Sequence, residues 1–77
     1  MRKAIVFEAP RDGYGIDQVA DGAMTVGELM AFLEDFDEDV LIIMSHDRGY
    51  TYGSIDVRTE VSSYVENEDG EFEPDDF

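Results

Sequence analysis

Seventy-seven residues without a cysteine leave room for one small fold that neither disulfides nor thiolate metal ligands can reinforce. Twenty Asp and Glu against five Lys and Arg set the net charge at −15, which disfavours direct binding to nucleic acid or an anionic membrane and favours encounter with a basic partner. Apolar residues make up 43% of the chain, an ordinary share for a globular domain, and the longest apolar run, Val40 to Met44, is too short to cross a bilayer.

The predicted elements follow in chain order. Lys3 to Phe7 (KAIVF) is rich in β-branched and aromatic residues and is stopped by Pro10, so it reads as a first strand. The Gly-, Asp- and Pro-rich stretch after it reads as a loop, with a short helical turn over Ile16 to Ala20. Thr25-Val-Gly-Glu28 has the spacing of a capping box. Val26, Leu29, Met30, Leu33 and Phe36 follow at helical spacing, which predicts a helix from Val26 to about Phe36 with one apolar stripe. Asp37, Glu38 and Asp39 would end it, since acids are unfavourable beside the negative helix C-terminus.

Val40 to Met44 reads as a strand apolar on both faces, suited to a central position. Ser45 to Gly53 (SHDRGYTYG) is expected as a connection, with Gly49 and Gly53 supplying turn freedom. Ile55 to Glu66 alternates apolar and polar residues and predicts a long, half-buried third strand. Asp69-Gly70 can turn the chain back, letting Glu71 to Glu73 add a short edge strand before Pro74. The expected fold is therefore α+β, with β-α-β-β order and one helix on a small mixed sheet of three to four strands. The first two strands should be parallel and the next pair antiparallel. Residues 1–66 form the expected single domain, and residues 67–77 an acidic C-terminal tail or short edge strand.

Acid placement is the most informative feature. Between Arg11 and Arg48 there is no Lys or Arg, and Glu34, Asp35, Asp37, Glu38 and Asp39 put five acids in six positions. The last twelve residues add seven more, among them Glu66, Glu68, Asp69, Glu71 and Glu73. Alternate strand residues lie about 6.6 Å apart on one face, so an extended tail would hold Glu71, Glu73 and Asp75 as a row of negative charge. An ordered row of this kind can occupy a nucleic-acid groove on another protein, whereas a solvated coat would only confer solubility. Tyr50 and Tyr52, with Asp47 beside them, are candidate contact residues, because tyrosines bring area at low entropic cost; packing over the sheet end is the alternative.

Catalytic patterns are weak. His46 is the single histidine, followed by Asp47, and no second cluster of metal-ligating residues converges on it in sequence. Asp35, Asp37 and Asp39 have the spacing of the first calcium-loop ligands, but Val40 stands where glycine is needed and His46 where glutamate is needed. There is no GxSxG motif and no phosphate-binding glycine loop. The expectation is a non-enzymatic protein with no cofactor and no metal.

The run from Thr25 to Ile55, together with Pro10 to Tyr14, resembles a group of small, mostly uncharacterised proteins of phages, prophages and other mobile elements. The shared features are the Thr25-capped helix with Glu28, Leu29 and Leu33, the Asp37 to Asp39 break, and the Ser45 to Gly53 stretch. In size and charge the chain is similar to anti-CRISPR and anti-restriction inhibitors, several of which imitate nucleic acid. That likeness implies an inhibitor acting in the host bacterial cytoplasm on a basic nucleic-acid-binding protein, such as a CRISPR effector complex. The alternative is an accessory or structural prophage protein, with homodimerisation open, whose acidity serves solubility. The N-terminus, with its short apolar run broken by Glu8, does not read as a secretory signal.

Overall fold

The computed structural model describes residues 1–75. Asp76 and Phe77 of the expected tail lie outside the described residues. The elements are β1 (Ala4–Phe7), α1 (Ile16–Val19), a 3-10 turn (Ala20–Gly22), α2 (Val26–Leu33), β2 (Leu41–His46), β3 (Thr51–Ser54), β4 (Ser63–Glu66) and β5 (Phe72–Asp75). They form a mixed three-stranded sheet and a separate two-stranded sheet, which is an α+β fold. The chain divides into two compact units, Met1–Pro10 with Met24–Thr59, and Arg11–Ala23 with the chain from Glu60 onward.

In the first unit the strand order is β1-β2-β3, with β2 in the centre as its continuous apolar run predicts. β1 runs parallel to β2, pairing Ile5 with Ile42 and Phe7 with Met44. β2 runs antiparallel to β3, pairing Met44 with Gly53 and His46 with Thr51. Paired residues share a face. Ile5, Phe7, Ile42 and Met44 therefore line one side of the sheet, and all four are half-buried. α2 lies over this side, where the Phe7 and Phe32 rings are 6.3 Å apart. Phe32 in turn meets Phe36 edge-on at 5.5 Å.

α2 begins as its sequence dictates. The Thr25 hydroxyl accepts from the Glu28 N–H at 3.1 Å, and the Glu28 carboxylate accepts from the Thr25 N–H at 3.0 Å. The helix ends at Leu33 rather than Phe36. Asp35 and Phe36 donate instead to carbonyls three residues back, a tightened final turn. The expected apolar stripe is only partly covered. Leu33 and Phe36 are half-buried, while Val26, Leu29 and Met30 stay exposed. Among the described residues no apolar side chain is fully buried, and Ser45, 8% exposed, is the most enclosed residue.

The largest departure from the sequence reading lies after β2. Ser45 to Gly53 is not one connection. β2 continues through His46, the turn is confined to Asp47–Tyr50, and Tyr52 and Gly53 belong to β3. Asp47, Arg48 and Gly49 all take positive φ, at 52, 57 and 88°, and three successive left-handed residues reverse the chain within this short span. The long strand expected over Ile55 to Glu66 is also absent. The Asp56 carboxylate accepts from the Ser54 hydroxyl, the Arg58 N–H and the Arg58 guanidinium, while the Asp56 N–H donates to the Thr59 hydroxyl. These local bonds take the backbone out of the ladder.

In the second unit β4 and β5 pair antiparallel, Val65 opposite Glu73 and Ser63 opposite Asp75. The short edge strand expected near residues 71–73 thus forms, but it joins β4 rather than the first sheet, and it runs through Pro74 to Asp75. Pro74 lacks an N–H, and on a strand with one neighbour it is tolerated. Glu68 to Gly70 make the loop, with Gly70 at φ 80° as the Asp-Gly turn anticipated.

Candidate partner-binding surface

The acidic break after α2 is the densest charge in the first unit. Glu34 caps the helix and Asp35, Asp37, Glu38 and Asp39 follow, all exposed. Five acids at a helix C-terminus add to the negative end of the peptide dipole, which opposes local stability. No basic side chain offsets them: among the described residues none of the five is in a salt bridge.

These acids border an apolar cleft of about 460 Å³ within the first unit. Ile5 and Ile42 from the sheet, Met30, Leu33 and Phe36 from the helix side, and Val40 from the connection supply its apolar lining. Glu34, Asp37 and Glu38 supply its exposed polar lining. Sequence reasoning found the acids but missed the cleft, because Ile5 and Ile42 read only as core residues. The available signal was the interleaving of Phe36 and Val40 with the acidic run.

Asp47, Tyr50 and Tyr52 sit elsewhere in the same unit. Tyr50 closes the turn, its N–H donating to the carbonyls of His46 and Asp47 at 3.0 and 3.2 Å, and its side chain is 83% exposed. Tyr52 lies in β3 opposite Ser45 and is 62% exposed, so it is a strand residue and not the loop anchor the sequence suggested. The acidic break and this turn flank opposite ends of β2, whose six residues separate them by about 20 Å. The structure therefore does not join the two groups into one patch.

The turn is braced from the residue after β1. The Glu8 carboxylate accepts from the Ser45 hydroxyl at 2.9 Å and from the Arg48 N–H at 3.0 Å. His46 is exposed in β2, and among the described residues no group of three or more His, Cys, Asp or Glu side chains is placed to hold a metal ion.

In the second unit the C-terminal acids are carried on a formed hairpin. Glu66 ends β4, Glu68 and Asp69 sit in the loop, Glu71 precedes β5, and Glu73 lies within it. Asn67 organises them: its side-chain oxygen accepts from the Asp69 and Glu71 N–H groups at 2.9 and 3.0 Å, and its amide donates to Glu73 at 3.1 Å. Glu73 and Asp75 share a face about 6.6 Å apart, the start of the expected acidic row.

One acid elsewhere is neutralised. The Arg58 guanidinium, at 2.7 Å, holds the Asp56 carboxyl far below the usual carboxylate range, with the Arg58 N–H and Ser54 hydroxyl adding to the effect. Asp56 raises Arg58 in return.

Comparison with known proteins gives no match to a protein family, a curated protein or a solved structure.

Proposed function

We propose that the chain is a non-enzymatic binding protein of phage or mobile-element type, which inhibits a basic nucleic-acid-binding protein by occupying its nucleic-acid site. A CRISPR effector complex is a partner of the required chemistry. The observation that carries this reading is the run Glu34 to Asp39, five exposed and unpaired acids clustered at the end of a capped helix. Backbone hydrogen bonds of Asp35, Phe36 and Val40 hold the chain that carries these acids, so less backbone ordering remains to be done on binding than in a loose tail. The hairpin acids Glu66 to Glu73 are a second ordered acidic group. The resemblance of Thr25 to Ile55 to small phage-borne proteins supports the same assignment.

The test is recovery of a partner from host lysate by the tagged protein at low and high salt, beside a variant with Glu34, Asp35, Asp37, Glu38 and Asp39 reversed to lysine. A nucleic-acid-binding complex that is displaced by duplex DNA, weakened by salt and lost in the variant is the expected result. Equal recovery by both proteins would overturn it.

A second reading, an accessory protein that functions as a homodimer, rests on the absence of a fully buried apolar side chain among the described residues. Pairing is one way for a chain this small to complete its core. A sedimentation mass that doubles with concentration would favour it.

A further inference from the structure

We infer that the cleft beside α2 receives the apolar face of a basic amphipathic helix of the partner, so that binding is anchored by hydrophobic burial and not by charge alone. This rests on the reading of the chain as an acidic binding protein and adds the kind of segment it grips.

The cleft has the anatomy such a segment requires. Its volume of about 460 Å³ is more than one side chain fills. Its floor is apolar, from Ile5, Met30, Leu33 and Ile42, and Glu34 and Glu38 stand on its exposed border. A helix laid in a groove presents apolar residues about one turn apart, and its flanking positions then face the border. Against carboxylates those flanks should be Lys or Arg. The C-terminal end of α2 adds its partial negative charge in the same direction. Met30, 61% exposed, leaves part of the floor accessible.

Charge decides between occupants. A second copy of the chain would bring another −15 to a border that is already acidic. A basic segment relieves the repulsion among Glu34, Asp37 and Glu38 that the isolated protein tolerates.

The experiment uses the whole chain, isotope-labelled, and two synthetic helical peptides of equal positive charge. One carries leucines at helical spacing and the other carries glutamines there. Burial of even one leucine should make the first bind about ten-fold tighter or more. Its amide shifts should centre on Ile5, Met30 and Ile42. Met30→Glu should abolish the advantage of the leucine peptide, at a position exposed enough to leave the fold intact. Glu38→Lys, which spares the floor, should weaken both peptides alike. Equal affinity for the two peptides would overturn the cleft as an anchor while leaving the acidic reading standing. Failure of both peptides to bind at low salt would overturn the two together. Cleft shifts that arise from protein concentration alone would assign the cleft to a second copy and overturn the inference.

Discussion

Glu8 and Arg48, forty residues apart in the chain, are joined by a hydrogen bond of 3.0 Å from the Arg48 N–H to one carboxylate oxygen, while the other oxygen accepts from Ser45. The acceptor follows β1 directly, Ser45 lies near the end of β2 and Arg48 in the turn after it, so one side chain ties the parallel pair to that turn. Arg48 sits at φ 57°, a conformation that non-glycine residues adopt at a cost of about 1–2 kcal/mol. Glu8→Ala removes the acceptor from both donors and leaves the enclosed Ser45 hydroxyl unpaired. A loss of about 1–3 kcal/mol in urea unfolding is expected. Glu8→Gln, which keeps one acceptor oxygen, should lose less. Equal unfolding midpoints for wild type and Glu8→Ala would show that the turn holds without this brace.

Gly49 completes the same turn at φ 88°, and a Cβ there would lie 3.0 Å from the Tyr52 hydroxyl oxygen. Gly49→Ala is expected to destabilise by about 1–2 kcal/mol, from left-handed strain and displacement of Tyr52. Gly53→Ala is the control. Its Cβ would meet His46 at an ordinary 3.5 Å, and alanine is favoured over glycine in a strand by about 0.5–1 kcal/mol. The two substitutions should therefore move the thermal midpoint in opposite directions. A shared direction would place the strain elsewhere.

The contrast between these glycines shows where sequence reasoning worked and where it failed. Both read as turn residues, yet only Gly49 is one. Strand identity was legible where apolar runs were dense, as in β1 and β2, and helix entry was legible from Thr25 and Glu28. The parallel pairing of β1 with β2 followed from the helix between them, whereas the antiparallel partner of β2 is Thr51–Ser54 and not the expected strand over Ile55 to Glu66. Period-two alternation over Ile55 to Glu66 overreached: only its last four residues, Ser63–Glu66, form a strand, because the side-chain bonds of Asp56 turn the backbone ahead of them, and alternation carries no information about such local competition. Phe32 fell outside the expected stripe yet meets Phe7, a contact between helix and sheet that periodicity within the helix does not define. The acids of the candidate site were visible in the sequence. The apolar cleft beside them required Ile5 and Ile42 to be placed next to Met30 and Leu33, a relationship of fold rather than of motif.

α2 has eight residues and its hydrophobic face is only half covered, so its termini matter more than in a buried helix. Thr25→Ala removes the acceptor for the Glu28 N–H and should cost about 1 kcal/mol. Helical circular dichroism should fall together with the unfolding midpoint. Thr25→Ser, which retains the hydroxyl, should restore both. Failure of serine to rescue would mean that the threonine methyl, not the cap, carries the effect.

Asp56 provides a pH test with a definite sign. Its carboxyl is held below the ordinary range by the Arg58 guanidinium first, then by the Arg58 N–H and the Ser54 hydroxyl. A lowered native value means that the ionised form stabilises the loop. That contribution is complete above the unfolded value of about 3.9 and is lost progressively as pH falls from there through the lowered native value. Carboxyl-carbon NMR from about pH 6 to about pH 2 should show Asp56 still ionised well below the ordinary carboxylate range. In Arg58→Ala the Asp56 transition should move up toward the ordinary range. An Asp56 that titrates within the ordinary carboxylate range in wild type would contradict the pairing.

Asn67 decides whether the C-terminal acids act as a surface or as a cloud. Its side chain takes two loop N–H groups and donates to Glu73, while its backbone N–H donates to the Glu71 carbonyl at 2.8 Å. β4 and β5 have four residues each, and a hairpin of that size is marginal without its turn. Asn67→Ala keeps the backbone bond, removes the three side-chain bonds and leaves every charge in place. Amide relaxation from Glu66 to Glu73 should report greater mobility, while the three-stranded sheet keeps its hydrogen-exchange protection. If the proposed partner reads ordered charge in this hairpin, its affinity should fall at unchanged net charge, because the acids must then be ordered on binding. Unchanged affinity with a mobile hairpin would confine recognition to the acids after α2 and leave Glu66 to Glu73 as a solvating group.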